Sequence, residues 1–299
     1  MRGIAFSPAH VTGFFKAELD DLQHRSENIG SLGAGFSIRD GVTTTVHAKK
    51  TEEKSDFQIN ISGYIPDNTD VSEFVIKEFL KIVNGQNFFL SVHHDISIPI
   101  GYGLGCSAAA ALSLAFALNQ ALCTKLEKSK IGQIAHNAEV FCKTGLGDVI
   151  GSFYGGFEIR TKAGAPGVGS LEKIDNDSKV IIICFSPIST KKFLGENLSM
   201  INGLGGKMVE RIVRSKNYNE FQDMSVEFAK YIKVMTPKMN SVIQELHKNG
   251  VRCGVAVFGE TIFSLIPASK EKQVFEILKK YDDNLIIKSE IDNIGARLQ

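Results

Sequence analysis

The chain has 299 residues, of which 43% are apolar and 22% charged, and its 34 Lys and Arg against 33 Asp and Glu give a formal net charge of +1. These proportions exclude a disordered chain, and the balanced charge gives no overall field that attracts nucleic acid or an anionic membrane. A chain of this length buries a sizeable core, and two domains are the expected organisation.

The cysteines and the N-terminus indicate a cellular compartment. The five cysteines are scattered, with no Cys-x-x-Cys pair and no histidine at zinc-ligand spacing, which is typical of a reduced cytoplasm. The first ten residues contain one arginine and no long apolar segment, unlike a secretory signal. The longest apolar run, residues 108–118, is far shorter than the roughly 20 residues that span a bilayer. We therefore expect a cytoplasmic protein without a membrane segment.

The first 65 residues are rich in β-strand signals. Short β-branched and aromatic runs, separated by Gly, Asn and Asp, predict antiparallel strands at residues 3–6, 11–15, 35–48 and 57–65. Asp40-Gly41 lies inside the third run, and Asp-Gly between two strand-like segments is typical of a two-residue hairpin turn. The chain should therefore open with a sheet built from hairpins.

Helices and further strands follow this sheet. Apolar residues at spacings of three and four predict a helix over 70–83 that packs on the sheet. A strand is predicted at 88–100, before a glycine-rich loop. Residues 107–122 are apolar on nearly every side, which predicts a central buried helix. A second helix at 128–143 and a strand at 153–160 complete the first half.

The second half begins after residues 161–170, a stretch rich in glycine that is the best candidate for a linker between domains. It places the predicted domains at 1–165 and 166–299. The order of the later elements suits a small α+β sandwich. The predicted elements are a strand at 179–188, helices within 203–249, two strands within 251–266 that meet at Gly259-Glu260, a helix at 269–281 and a strand at 284–290.

The glycine-rich loop "PIGYGLGCSAAAAL", residues 99–112, carries the clearest chemical signal. Gly101, Gly103 and Gly105 can adopt positive φ and leave room for a ligand close to the backbone. The helix that follows directs free N–H groups and a partial positive charge into that turn, where phosphate binds well. The alternative is a tight strand-to-helix connection without a ligand.

Two common phosphate-binding motifs do not match this loop. A Walker A loop needs GxxxxGK[ST], and the loop has no lysine. A dinucleotide fingerprint would begin at Gly101, but Cys106 takes the place of its third glycine, and the preceding elements are antiparallel hairpins rather than a βαβ unit. If the loop binds phosphate, it therefore does so as a different kind of phosphate-binding loop.

The loop resembles the central motif of the GHMP kinase superfamily, a proline followed by Gly-Leu-Gly-Ser-Ser-Ala-Ala. Cys106 replaces the first serine of that motif, a change between small residues that removes one hydroxyl. Residues 250–263 are similar to a degenerate form of the C-terminal glycine motif of the superfamily. The matching positions of the central motif are Pro99, Gly103, Leu104, Gly105, Ser107, Ala108 and Ala109.

Within that superfamily the chain resembles the pantoate kinases of archaea, which act on the route to coenzyme A. The resemblance rests on residues 5–15, 30–46 and 144–169. Other members usually carry Pro-Gly-Lys near the start, where this chain has Pro-Ala-His at 8–10. This departure is compatible with pantoate and counts against mevalonate or galactose as the substrate.

The resemblance implies an α+β fold with an N-terminal domain like domain 2 of ribosomal protein S5 and a C-terminal ferredoxin-like α/β sandwich. It implies transfer of the γ-phosphoryl group of ATP to the hydroxyl of pantoate, with Mg²⁺, in a homodimer. Two alternatives stay open. The substrate could be another alcohol, such as homoserine, shikimate or mevalonate, or the protein could bind a ligand without catalysis, as the degenerate C-terminal motif permits.

The resemblance also assigns roles to residues. Asp148 is the expected base for the substrate hydroxyl, and its alternative role is an N-cap of the segment that follows. Ser107 and Glu139 are the expected Mg²⁺ ligands, although Glu139 could also be a solvated helix residue. The expected nucleotide-binding residues are Pro99, Gly101, Gly103, Leu104, Gly105, Cys106, Ser107, Ala108 and Ala109.

Substrate contacts are expected from His10 and Arg160. His10 could donate a hydrogen bond to pantoate or satisfy a turn carbonyl, and Arg160 could clamp a carboxylate or lie on the surface of its strand. Residues 202–208 could form a substrate loop or the entry to a helix. His93 and His94 are adjacent in a strand and point to opposite faces, so we do not expect them to share a metal ion.

Overall fold

The computed structural model of the chain describes residues 1–19, 25–63, 68–188, 190–281 and 283–299. Residues 64–65 of the strand predicted at 57–65 lie outside these ranges. Among the described residues, no helix combines the length and the hydropathy that crossing a membrane requires. Runs of strands and runs of helices follow one another along the chain, as the predicted α+β class requires.

Strands and helices are numbered in chain order. The strands are β1 (Arg2–Glu18), β2 (Gly30–Lys50), β3 (Asp56–Ile61), β4 (Phe88–Ile96), β5 (Phe157–Lys162), β6 (Ser170–Ile174), β7 (Lys179–Pro187), β8 (Gly254–Val255), β9 (Gly259–Ile266), β10 (Leu285–Glu290) and β11 (Arg297–Leu298). The helices are α1 (Asp70–Ile82), α2 (Cys106–Ala121), α3 (Lys128–Cys142), α4 (Asp148–Tyr154), α5 (Thr190–Ser215), α6 (Tyr218–Tyr231), α7 (Pro237–Lys248) and α8 (Glu271–Leu278).

A large sheet runs in the order β11-β1-β2-β4-β3, and β5 pairs with β2 and with β6. Its pairs are antiparallel except β3 with β4. Long stretches of β1 and β2 are buried at consecutive positions, because helices cover one part of the sheet and the second half of the chain covers another. The long central strands therefore form the floor on which the other layers assemble.

Two hydrophobic cores flank this sheet. One core joins the sheet to α1, α2 and α3 and includes Leu112, Leu118 and Phe79. The other joins β1, β2 and β5 to the second half of the chain and includes Phe36 and Phe221, whose rings lie 6.3 Å apart. The helix α2 is almost wholly buried, as its apolar sequence predicts.

The hairpin predicted at Asp40-Gly41 is wrong. β2 continues through this position, and its register with β1 shifts so that Ala9 pairs with Ile38 while Pro8 pairs with Gly41. Asp40 therefore belongs to a β-bulge rather than to a turn. A Cβ at position 41 would lie 2.1 Å from the carbonyl oxygen of Ser7, so the close approach of the two strands requires glycine.

The linker predicted at 161–170 is also wrong. Residues 163–169 form a hairpin loop that joins β5 to β6, and both strands belong to the large sheet. The loop packs on its surroundings, since Ala165 donates its N–H to the carbonyl oxygen of Glu27 and Pro166 accepts a hydrogen bond from Gln133. The glycines of this segment allow a tight, packed turn and do not form a flexible linker. The strand predicted at 153–160 begins only at Phe157, because α4 extends to Tyr154.

A small sheet in the order β10-β7-β9-β8 packs with α6, α7 and α8 in the second half, whereas α5 lies against β1 and β2 of the large sheet. Residues 202–208 lie inside α5 and form neither a loop nor a helix entry. Gly205 allows this helix to approach β1, because a Cβ there would lie 1.9 Å from the carbonyl oxygen of Phe15. The final strand, β11, returns to pair with β1 in the large sheet. The sheets group β6 and β11 with the first half of the chain. The division into domains at 165/166 stays a prediction.

Candidate active site

The glycine-rich loop between β4 and α2 has the backbone that its sequence predicts. Gly101, Gly103 and Gly105 have φ of +88°, +74° and +60°, a region that residues with a side chain rarely adopt. Gly105 is the N-cap of α2, which begins at Cys106. A loop in which alternate residues are left-handed curves the chain into a concave turn, and the N-terminus of α2 faces the same turn.

A cavity of about 370 Å³ opens at this turn. Of the predicted nucleotide-binding residues, Pro99, Ala108 and Ala109 lie outside its wall. The N–H of Ala109 is already bonded to the carbonyl oxygen of Gly105. The N–H groups that remain for a phosphate are those at the very start of the helix. The predicted residues in the cavity wall are Gly101, Gly103, Leu104, Gly105, Cys106 and Ser107.

The second half of the chain closes the cavity on its other side, through Ile188, Val257 and Phe258. The backbones of the two glycine motifs meet here, because a Cβ at Gly103 would lie 2.6 Å from the carbonyl oxygen of Val257. The hydroxyl of Thr261 also donates to the carbonyl oxygen of Tyr102 at 2.9 Å. The C-terminal motif therefore packs directly on the glycine-rich loop and helps to hold it in place.

Asp148 lies in the cavity wall as the first residue of α4. The N-cap of α4 is Gly147, so Asp148 does not have the N-cap role that was its alternative. Instead Oδ1 lies 2.9 Å from Nδ1 of His10 and accepts a hydrogen bond from the hydroxyl of Thr12 at 3.2 Å. Both partners use the same oxygen, and the carboxylate is 26% exposed, so Oδ2 remains for a ligand in the cavity.

The charge state of Asp148 follows from these neighbours. Burial raises the pKa of its carboxyl group, but the hydrogen bond and the charge of His10, the charge of Arg160 and the hydrogen bond from Thr12 outweigh burial and hold the pKa below its usual value. Asp148 is therefore an ionised carboxylate at neutral pH. It can accept a hydrogen bond from an alcohol and orient it, and it can take up the proton as the alcohol is phosphorylated.

Glu139 lies on α3 behind the cavity wall. Its Oε1 accepts a hydrogen bond from the hydroxyl of Thr144 at 2.6 Å, whereas Oε2 is buried without a hydrogen-bond partner among the described residues. A Cβ at Gly145 would lie 2.3 Å from Oε2, so glycine leaves open the space between this oxygen and the cavity. The carboxylate is 1% exposed, which excludes the solvated role.

Burial raises the pKa of Glu139 to about 7, with a further increase from the charge of Asp148, while Thr144 and the nearby Ser107 hydroxyl oppose it. Such a buried carboxylate with an unused oxygen is one that a cation would stabilise. Together with the hydroxyl of Ser107 it offers hard oxygen ligands of the kind that Mg²⁺ prefers. Burial, with the charge of Glu139, also raises the pKa of the Cys106 thiol to about 12. This cysteine therefore contributes an uncharged side chain to the cavity wall.

His10 and Arg160 do not lie in the cavity wall. The imidazole of His10 is fully buried between Asp148 and Glu158, with Nε2 at 3.1 Å from Oε1 of Glu158. Arg160 is equally buried and forms an ion pair with Glu158, and its side chain is not on the surface. The geometry therefore does not support direct contact between His10 and a substrate.

Arg160 keeps a link to the cavity. Its Nε is buried without a hydrogen-bond partner in the part of the chain that the structure describes. A Cβ at Gly147, which lines the cavity, would lie 2.9 Å from that nitrogen. The guanidinium thus lies directly behind the wall, and its role as a carboxylate clamp stays a prediction.

Sequence reasoning missed Thr12, Thr144 and Glu158. Thr12 and Thr144 had no signal, because their roles come from contacts with distant residues. Glu158 had one, since Glu158 and Arg160 alternate with the apolar Phe157 and Ile159 and must share one face of β5. Two opposite charges on one face of a strand with buried apolar neighbours indicate a buried ion pair.

His93, His94 and His136 make structural contacts away from the cavity wall. His136 is buried, and its Nε2 lies 2.8 Å from the carbonyl oxygen of Ile29. His93 contacts the hydroxyl of Ser62, while His94 is buried and contacts Thr44 on the opposite side of the strand. No cluster of three metal-ligating side chains is present within the described ranges.

Comparison with known proteins gives two kinds of match. The family model described as GHMP kinases N terminal domain matches residues 71–156, which contain the glycine-rich loop and Asp148. A solved structure described as a phosphotransferase related to the CoA biosynthesis pathway superposes with a TM-score of 0.89 at 25% identity and covers 100% of this chain and 99% of that chain.

Curated relatives match over almost the whole chain. A pantoate kinase of Methanocaldococcus jannaschii is 32% identical over 278 residues, which cover 92% of this chain and 96% of that protein. A pantoate kinase of Thermococcus kodakarensis is 29% identical over 304 residues, with 97% of each chain covered. The match therefore includes both halves of the fold.

Proposed function

Because the chain belongs to the pantoate kinase family, a branch of the GHMP kinases, we propose that it transfers the γ-phosphoryl group of ATP to the primary hydroxyl group of pantoate. The product, 4-phosphopantoate, lies on the route to coenzyme A, in agreement with the description of the superposed phosphotransferase. The fold class and the family expected from the sequence are confirmed. Cytoplasmic location and a homodimer stay predictions.

One observation carries the proposal. An ionised carboxylate, Asp148, lies in the same cavity as a left-handed glycine turn and the N-terminus of α2. The turn supplies the geometry for a polyphosphate, and the carboxylate supplies a group for a hydroxyl. A cavity with both is suited to phosphoryl transfer from a nucleotide to an alcohol.

The chain's contribution to nucleotide binding comes from backbone. We assign the triphosphate to the turn from Gly101 to Gly105 and to the free N–H groups of Cys106 and Ser107. Because the chain as a whole carries almost no net charge, the partial positive charge of the helix end must supply local attraction for the phosphates. ATP is the nucleotide that the family implies.

Mg²⁺ fits the residues present, since Glu139 has a buried oxygen that finds no hydrogen-bond partner in the described part of the chain, and Ser107 lies nearby. When bound, the ion would neutralise charge on the phosphate oxygens during transfer. Glu139 and Ser107 would hold it, together with phosphate oxygens and water, which is a usual set for this ion. Thr144 fixes the orientation of Glu139 through its hydrogen bond to Oε1.

Asp148 would orient the substrate hydroxyl through Oδ2 and accept its proton. The carboxylate of pantoate needs a cation, and we assign this role to Arg160, whose Nε lies behind Gly147 and has no hydrogen-bond partner among the described residues. Placement of both ends of a small substrate would fix the hydroxyl against the γ-phosphoryl group.

The alternatives weighed from the sequence are not favoured. The curated matches reported above are pantoate kinases, and they cover nearly the full chain, which disfavours homoserine, shikimate and mevalonate. A binding protein without catalysis would have no need of the ionised carboxylate of Asp148 at this cavity, nor of a buried oxygen of Glu139 that has no hydrogen-bond partner among the described residues. The degenerate C-terminal motif still packs on the phosphate loop.

A coupled ADP-release assay tests the function. Purified protein is mixed with ATP, Mg²⁺ and one alcohol at a time from a panel of pantoate, homoserine, shikimate and mevalonate. ADP release above the alcohol-free background is expected with pantoate only. Release with another alcohol and not with pantoate would contradict the proposal.

A further inference from the structure

The imidazole of His10 joins three distant parts of the chain below the cavity. Nδ1 lies 2.9 Å from Oδ1 of Asp148 on α4, and Nε2 lies 3.1 Å and 3.2 Å from the two carboxylate oxygens of Glu158 on β5. The ring itself is on β1 and has no exposed surface. It therefore connects the candidate base to a second carboxylate that no ligand can reach.

The chemistry of these partners fixes the state of the ring. An ionised carboxylate only accepts hydrogen bonds, so a ring with a carboxylate at each nitrogen must donate from both, which makes it an imidazolium ion. Burial lowers the pKa of His10, but the charges of Glu158 and Asp148 and their hydrogen bonds outweigh burial and raise it to about 9. Geometry and charge agree that both nitrogens carry protons at neutral pH.

The surrounding backbone holds the ring in one orientation. A Cβ at Gly35 would lie 2.7 Å from Cε1 of His10, and a Cβ at Gly151 would lie 2.3 Å from its Cδ2. Glycine at both positions lets β2 and α4 press on the ring, which leaves it no room to turn. Arg160 holds Glu158 in place on the other side of the ring from Asp148, because it forms an ion pair with Oε1 of Glu158.

We propose that His10 is a positioning residue for phosphoryl transfer, which holds Oδ1 of Asp148 through its Nδ1–H so that Oδ2 stays free for the substrate hydroxyl, while Glu158 and Arg160 anchor the ring from below. This inference rests on the proposed function. It replaces the direct substrate contact expected from the sequence. The charged groups around the ring are Asp148, Glu158 and Arg160, and Glu139 adds a further carboxyl group near Asp148.

Two substitutions of His10 test the hydrogen bonds of the two ring nitrogens separately. His10→Asn places an amide N–H where Nδ1 was, so it keeps the hydrogen bond to Asp148 without the charge. His10→Gln places its amide near the former Nε2, so it keeps the bond to Glu158 and loses the one to Asp148. Positioning through Nδ1 predicts a roughly 100-fold loss of kcat in His10→Gln and a loss of about tenfold in His10→Asn.

The pH profile supplies a readout that a purely structural role would not move. Without the imidazolium charge the pKa of Asp148 rises, and the acid limb of kcat/KM should move to higher pH in both variants. His94→Asn is the matched control, because His94 is also a buried histidine but its ring nitrogens lie against the hydroxyls of Thr44 and Ser72 rather than against carboxylates. Its acid limb should stay where it is in the unsubstituted protein.

Two outcomes would overturn the proposal. One is a rise in KM for pantoate with kcat unchanged, which would show that His10 contacts the substrate. The other is an equal loss in both variants of His10 with an unmoved acid limb.

A spectroscopic measurement keeps the proposal testable if neither variant folds. NMR of the unsubstituted protein labelled with ¹⁵N-histidine should show one buried imidazole with a proton on each nitrogen at pH 7. A buried ring assigned to His10 with only one N–H would contradict the proposal. This measurement needs no turnover, so it also distinguishes failure of the positioning role from failure of the pantoate assignment.

Discussion

The two sides of the candidate site are encoded differently. The phosphate side is continuous in sequence, from Gly101 to Ser107, and consists of backbone groups. The hydroxyl side consists of buried charged side chains, and its members His10 and Asp148 are 138 residues apart. A backbone site depends on local conformation, whereas a charge cluster depends on the topology that brings its strands together. The two sides should therefore respond differently to substitution.

The largest effect is expected from Asp148→Asn on the hydroxyl side. The amide keeps the shape of the side chain but cannot accept a proton, so kcat should fall by roughly 1000-fold. Binding of ATP, measured by calorimetry with a non-hydrolysable analogue, should be unchanged, because the phosphate side is intact. Asp95→Asn, at an exposed carboxylate on β4, is the control and should retain full activity. Near-normal turnover of Asp148→Asn would refute its role.

Glu139→Gln should have the next largest effect, because Glu139 is the proposed Mg²⁺ ligand. The substitution removes the charge of the carboxylate whose Oε2 has no partner among the described residues. We expect a loss of roughly 100-fold in kcat/KM at low Mg²⁺, with partial recovery as Mg²⁺ is raised. Glu78→Gln on the exposed face of α1 serves as the control. An unaltered Mg²⁺ titration would exclude Glu139 as a ligand.

Gly103→Ala perturbs the phosphate side alone. The new Cβ would lie 2.6 Å from the carbonyl oxygen of Val257 at a residue with φ of +74°, so the loop must shift. KM for ATP should rise about tenfold while the pH profile stays unchanged. Gly63→Ala tests positive φ without crowding, since φ is +66° and its Cβ would meet open space. Equal effects of the two substitutions on KM for ATP would show that backbone strain at a positive φ, and not the shape of the loop from Gly101 to Gly105, determines nucleotide binding.

The smallest effect concerns stability rather than turnover. Since the pKa of His10 is raised from 6.5 to about 9 on folding, its contribution is fully present below pH 6.5 and is lost as the pH rises through about 9. Unfolding free energy should fall by about 2 kcal/mol between pH 7 and pH 9. Thermal unfolding across this range measures it. His10→Asn should lack this decline, and a decline of the same size in that variant would assign it to another group.

The same contrast explains what the sequence could predict. The glycine turn, the buried helix α2 and the positions of most helices follow from local pattern, because positive φ needs glycine and a helix repeats every 3.6 residues. The hairpin at Asp40-Gly41 and the linker at 161–170 were wrong because the same residues also suit a bulge and a packed turn. Local preference does not distinguish these structures, and tertiary pairing does.

The charge cluster could be predicted only in part. Asp148 and Glu139 were reached through resemblance, and their neighbours Thr12, Thr144 and Glu158 were not. The burial of Arg160 and the pairing of β5 with β2 decide which side of the strand faces His10, and neither is visible before the sheet is assembled. Residues that position other residues in this way can be recognised only when the fold is known.

Phosphorus NMR of the reaction products tests the central claim most directly. After incubation with ATP, Mg²⁺ and pantoate, the account predicts ADP together with a new phosphomonoester whose ³¹P signal is a triplet, from coupling to the two protons of the primary carbinol carbon. This signal should be absent with Asp148→Asn. A doublet would place the phosphoryl group on the secondary hydroxyl, and ADP with inorganic phosphate alone would mean hydrolysis; either result would contradict transfer to the primary hydroxyl of pantoate.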